Sequence, residues 1–265
     1  MHWTSLSNLS SIINNEEIRL YNLLNSKDTE EFKYAAKLLA LSSDEIDCFK
    51  QNYFTISFCA GENLNDEYLW KKYGRNYKGV AIKFSFTDNP DNWKNFFLSE
   101  VHYKLDDKFS AFQEEIKALK SKYNNNLNFK TDNWIFAGFF KKPKFKKENE
   151  IRLSWISPFT DHDDSLKYER RELKIEKGRN RIVSYLPLKL WNDPNSFLNK
   201  TGTTNTLNSE TTLNTEVPQI KIDSIYFGKN CGLSPDEYNN MRLEILEMFQ
   251  YGLGYSINLD EKLFG

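Results

Sequence analysis

Apolar residues recur along this chain in two rhythms, and the changes between them mark its elements. Ile151, Leu153 and Trp155 alternate with Glu150, Arg152 and Ser154. This is the period-two pattern of a half-buried strand, in which side chains two apart share a face. The same pattern or a dense β-type composition predicts strands at 1–5, 17–21, 53–59, 79–86, 100–104, 172–176, 182–188, 219–227 and 252–258. Helical spacing appears at Leu6, Leu9, Ile12 and Ile13, with Ser5 or Ser7 as cap, and again at Phe32, Ala35, Ala36 and Leu39 behind a turn at 25–28. Ser42 to Glu45 resembles a capping box and opens a helix through Phe49. Residues 67–73 predict a short helix ended by Gly74, and 106–123 an amphipathic one. The aromatic run 129–140 reads as helical too. Ser234-Pro235-Asp236-Glu237 starts a last helix with Tyr238, Met241, Ile245 and Met248 on its apolar face.

Strands and helices interleave without a regular strand–helix–strand rhythm, and no internal repeat is present. The expected class is α+β, one domain over 1–265 with a mixed or split sheet and flanking helices. Residues 201–216, mostly Thr, Asn and Ser, have too little apolar surface to offset their ordering entropy and predict a mobile polar loop without chemistry of its own.

Composition changes this picture in three places. Aromatic residues make up 15% of the 265 positions, so they supply much of the core. The net charge of −1 gives no global field favouring nucleic acid or an anionic membrane. Three cysteines without paired spacing argue against a disulfide framework or a zinc site and fit a reducing compartment. The N-terminal residues lack a basic start and an apolar run, and no stretch approaches the length of a membrane span. The expectation is a soluble cytoplasmic protein.

The usual signatures of nucleotide, hydrolase and zinc-protease chemistry are absent. His2, His102 and His162 are far apart, and no metal is expected. Four groups of residues remain: His2 near an opening strand, Ser57 late in a strand, Trp70-x-x-Tyr73 on a helix, and Glu148-x-Glu150-x-Arg152 at a strand. If the extended backbone starts early enough, Glu148 joins the row of Glu150, Arg152 and Ser154. Two carboxylates and a guanidinium then line the mouth of a sheet; the competing reading is a solvated strand face. Trp70 and Tyr73 read equally as core, and Lys141 to Lys147 (KKPKFKK) as a solvated edge or a nucleic-acid-tracking stretch around Phe145.

The order of these pieces resembles the bacterial family called domain of unknown function 2971. The matching blocks are His2-Trp3, Lys27-Asp28-Thr29-Glu30-Glu31, Ser57, Trp70-x-x-Tyr73 with Lys78-Gly79-Val80-Ala81-Ile82, Val101-His102-Tyr103, Lys144 with Glu148-x-Glu150-x-Arg152, and Ile222 to Gly228. In motif order it is more distantly similar to the ADP-ribosyltransferase superfamily. That resemblance implies an ADP-ribosyltransferase-like fold and NAD as substrate. ADP-ribose would go to a protein or nucleic-acid acceptor or to water, in a toxin or phage-defence effector. It implies Glu150 as the carboxylate at the ribose, Glu148 as the group that orients or deprotonates the acceptor, and Trp70 or Tyr73 against nicotinamide. His2 would contact the adenosine ribose, Ser57 would stand in the mid-chain motif, and Arg152 and Lys144 would contact the pyrophosphate. The alternatives are a non-catalytic nucleotide- or partner-binding module of the same fold, and a nucleic-acid-binding protein.

Overall fold

The computed structural model describes residues 1–25, 29–39, 41–60, 64–104, 110, 111, 114, 118, 136–157, 173–177, 182–191 and 216–259. By their contacts the residues form two compact units. The first comprises Met1–Ile18, Gly61–Asn89 and Leu188–Gly265, and the second Arg19–Ala60 and Pro90–Pro187.

The first unit carries a mixed sheet of order β1-β4-β9-β10. β1 (His2–Thr4) and β9 (Ile220–Phe227) flank β4 (Val80–Phe86) antiparallel, and β10 (Asn258–Leu259) lies parallel to β9. In β4 the expected alternation holds only in part. Val80, Ala81 and Ile82 are all buried, so both faces are covered at that end, and the register slips between Lys83 and Phe84. Helix α1 (Leu6–Asn15) is capped by Ser5, whose Oγ accepts the Asn8 N–H at 3.1 Å. Helix α4 (Glu67–Lys72) is capped by Asp66, which accepts the Tyr68 and Leu69 N–H groups. Helix α5 (Pro235–Glu247) begins with a full capping box between Ser234 and Glu237 and buries Tyr238 and Ile245.

The second unit contributes most of a six-stranded sheet of order β5-β6-β3-β2-β8-β7. The strands are β2 (Glu17–Asn22), β3 (Tyr53–Cys59), β5 (Phe96–Glu100), β6 (Glu150–Ile156), β7 (Lys174–Lys177) and β8 (Ile182–Lys189). β6 pairs antiparallel with β3 on one side and β5 on the other. Helices α2 (Thr29–Leu38) and α3 (Ser43–Asn52) supply Ala35 and Phe49 to a core that includes Tyr53, Phe97, Phe136, Phe139, Phe140 and Ile156.

Three boundaries differ from expectation. The strand predicted at 100–104 lies at Phe96–Glu100, where Phe96 and Leu98 stand opposite Trp155 and Leu153; beyond it only His102 makes a bridge, to Phe140. The strand predicted at 252–258 is confined to Asn258–Leu259, because the chain after α5 continues as a wide π-type turn over Met248–Leu253 that ends at Gly254 with φ +78°. The strand predicted at 172–176 is found at Lys174–Lys177. The turn at 26–28, most of the helix at 106–123, residues 129–135, His162 and the polar loop through 215 lie outside the described residues.

A candidate functional site on the buried face of β6

Antiparallel pairing puts directly opposed residues on one face. Glu150 stands opposite Cys59, Arg152 opposite Ser57, Ser154 opposite Thr55 and Ile156 opposite Tyr53. The polar row of β6 therefore shares its face with Tyr53 and Ile156 of the aromatic core. The other face is apolar, with Phe54 and Phe96 packed against Trp155 at ring separations of 5.5 and 6.5 Å.

The polar row of β6 is not a solvated strand face. Glu150 is 3% exposed and Arg152 6%, and Ser154 is fully buried. The reason lies in the segment before the strand. Phe136–Phe140 makes a short helical turn whose Phe136, Phe139 and Phe140 are buried, and Arg152 Nη1 donates to the Gly138 carbonyl at 2.5 Å. Gly138 has no room for a side chain: a Cβ there would lie 2.0 Å from the Tyr53 hydroxyl oxygen. Tyr53 in turn donates to Ser154 Oγ at 2.7 Å, and Ser154 donates to Thr55 Oγ1 at 3.0 Å.

Glu148 does not extend the strand. It ends a 3-10 helix, Pro143–Glu148, and Asn149 follows in the left-handed region with φ 41°. Glu148 nevertheless reaches the same charge cluster, because Lys141 bridges the two acids. Its Nζ donates to Glu148 Oε2 at 2.6 Å and to Glu150 Oε2 at 2.5 Å. Arg152 Nε donates to the other Glu150 oxygen, Oε1, at 2.6 Å. Two carboxylates thus face two cations in a site where all four residues are buried. Burial opposes ionisation of Glu150, but the Arg152 guanidinium and then the Lys141 ammonium outweigh it, and the carboxyl is held down at about 2. Burial first, and the Glu150 charge next, push the neighbouring Cys59 thiol up to about 12, so it stays protonated at neutral pH. The Tyr103 hydroxyl accepts the Glu150 N–H at 3.4 Å and is likewise pushed up to about 12, first by burial.

The structure brings Glu148, Glu150 and Arg152 together and places Ser57, which is exposed, directly opposite Arg152. Lys144 is exposed on the 3-10 helix, where its Nζ lies 4.8 Å from the centre of the Phe145 ring. The lysine of the cluster is Lys141, which the sequence reading did not single out. Its signal was faint: it is the first lysine after the buried Phe139-Phe140 pair. His2, Trp70 and Tyr73 belong to the first unit. There His2 pairs with Ile82 and meets Phe84 edge-on, and Trp70 is buried. Trp70 stacks on Tyr77 at 5.5 Å and 14° and meets Trp3 edge-on at 6.4 Å.

Among the described residues no helix is long and apolar enough to cross a membrane, and no three His, Cys, Asp or Glu residues are grouped as metal ligands. A family model described as "Protein of unknown function (DUF2971)" matches residues 69–153, from the first turn of α4 through the charged part of β6. No curated protein and no solved structure matches the chain.

Proposed function

We propose that this chain is an ADP-ribosyltransferase-like enzyme that consumes NAD, with the Glu150 carboxylate as the group that acts at the nicotinamide ribose. The observation that supports this is a buried glutamate that stays ionised. Cleavage of the nicotinamide–ribose bond develops positive charge on the ribose, as glycoside cleavage does. A fixed anion in a water-poor site lowers the energy of that charge far more than one in water. Arg152 and Lys141 take one position on each Glu150 oxygen. A carboxylate has about four acceptor positions, which leaves room for ribose hydroxyls.

The glycosidic pair leaves with nicotinamide, and a water or acceptor oxygen attacks the anomeric carbon and loses its proton. Glu148 orients that nucleophile and takes the proton, while Lys141 bridges the two carboxylates and offsets their mutual repulsion. Lys144 and Arg152 supply positive charge for the pyrophosphate. This reading rests on the residues of the second unit.

A second reading is favoured by one specific feature. Glu148 and Glu150 are 2% and 3% exposed and their charges are matched by Lys141 and Arg152. A charge-matched cluster suits a nucleotide- or partner-binding module that keeps the fold without turnover. Calorimetric titration with NAD, followed by an assay for free nicotinamide in the same sample, separates the two. Heat with nicotinamide release supports the enzyme. Heat without release supports the module, and no heat at all overturns both.

A further inference from the structure

The first unit presents a second feature, independent of the NAD reading. Arg75, Asn76 and Tyr77 have φ of 49°, 55° and 66°, three consecutive non-glycine residues in the left-handed region. Each such residue costs about 1–2 kcal/mol, and runs of them are unusual. The surroundings hold the loop rigidly in this shape. The Asn76 N–H donates to the Trp70 carbonyl at 3.0 Å, and Gly79 returns its N–H to the Gly74 carbonyl at 3.0 Å. Tyr77 stacks on Trp70. A second turn clamps the first: Asn230 donates its N–H to the Tyr77 carbonyl at 2.9 Å and its side-chain amide to the Asn76 carbonyl at 3.5 Å. Gly228 allows this approach, since a Cβ there would lie 2.2 Å from the Tyr77 oxygen.

This rigid pair of turns displays cations. Lys71, Lys72, Arg75 and Lys78 are exposed, as is Lys229, whose Nζ lies 4.6 Å from the centre of the Tyr77 ring. Of the acids on α4 and its cap, Asp66 caps the helix and Glu67 pairs with Lys71 at 2.7 Å. Tyr68, Tyr73 and Tyr77 are half-buried among these cations, with Lys72 Nζ 5.2 and 5.0 Å from the first two rings. A C-terminal helix charge effect accounts for one or two lysines on a six-residue helix, but not for Arg75 and Lys78 in the clamped loop or Lys229 on the turn that clamps it.

We propose that the surface formed by Lys72, Arg75, Lys78 and Lys229 with Tyr73 binds single-stranded nucleic acid, the cations contacting successive phosphates and the tyrosine ring a base. Cations interleaved with aromatic rings are the chemistry of single-strand grooves, and the net charge of −1 means this surface is a local feature and not a general basicity.

The test is fluorescence anisotropy of the full chain with a labelled 20-nucleotide oligouridylate and oligothymidylate, repeated with a duplex of the same length, across a range of salt. Three proteins join the wild type: Arg75→Gln/Lys78→Gln/Lys229→Gln, Tyr73→Ala, and a control Lys142→Gln/Lys146→Gln/Lys147→Gln. The wild type binds single strands more tightly than duplex, and its affinity falls steeply with salt. The first triple variant flattens the log–log salt slope by about 2, at roughly 0.7 per lost phosphate contact. Tyr73→Ala weakens single-strand binding roughly 5- to 150-fold with the slope unchanged, and the control triple retains binding. The proposal is overturned if the wild type does not bind, if duplex binds as tightly as single strand, or if the control triple loses binding while the first triple keeps it. Nicotinamide release plays no part in this readout, so failure here leaves the NAD reading untouched, and the reverse holds.

Discussion

Lys141 carries more of the second unit's electrostatics than its place in a run of lysines implies. Its ammonium is the shared partner of Glu148 and Glu150, and Arg152 holds the other Glu150 oxygen. Breaking a buried ion pair from one side leaves an uncompensated charge and costs about 3–5 kcal/mol. Lys141→Met is therefore expected to lower unfolding free energy by roughly that amount in urea titration. Lys141→Met with Glu148→Gln restores the charge balance and recovers most of the loss. A single variant within the error of the wild type would contradict the arrangement. Glu150 adds a pH dependence. Its folded-state pKa of about 2 lies below the ordinary value of 4.5, so the unfolded chain binds the proton more readily between these values. The resulting stability is fully present above pH 4.5 and is lost as pH falls through about 2. Its size is on the order of 3 kcal/mol, and acid unfolding followed by circular dichroism should show the loss across that window.

At the scale of elements, the short turn at Phe136–Phe140 decides what β6 becomes. Gly138→Ala would drive a methyl group into the buried Tyr53 ring and displace the carbonyl that Arg152 holds. A loss of more than about 2 kcal/mol is expected in thermal unfolding; a neutral result would mean the turn is loosely packed. In the first unit, Arg75→Gly should raise stability by about 0.5–1 kcal/mol, because relief of left-handed strain exceeds the added backbone entropy of glycine. An unchanged or lower melting temperature would show the loop to be unstrained. These two sites mark the limit of local reading. The alternation of β6, the Ser234 capping box residues and the spacing of α1 were legible, because period and caps depend on near neighbours. The burial of the β6 polar row was not legible. Alternation tells which residues share a face but not what covers it, and here the cover comes from aromatic residues that precede the strand. The condition for Glu148 to join that row, an extended backbone that starts early enough, fails at the left-handed Asn149, which has no strong local signal.

At the scale of the molecule, the chain leaves the first unit after Ile18, returns at Gly61, leaves again after Asn89 and returns at Leu188. Periodicity within short windows carries no trace of such returns, which depend on pairings like that of β4 with β9, more than 130 positions apart. The class α+β and the mixed character of the sheets follow from the order of elements; the division into two units does not. It separates the eight residues singled out from the sequence: Ser57, Lys144, Glu148, Glu150 and Arg152 lie in one unit, and His2, Trp70 and Tyr73 in the other. The matched segment 69–153 runs from the one into the other. The most direct test of the account is the rate of nicotinamide release from NAD by the wild type and by Glu150→Gln, each first checked for a native near-ultraviolet circular dichroism spectrum. Steady release by the wild type and loss of release in Glu150→Gln with NAD still bound are the expected results. Equal release by the two folded proteins, or none from the wild type, would contradict it.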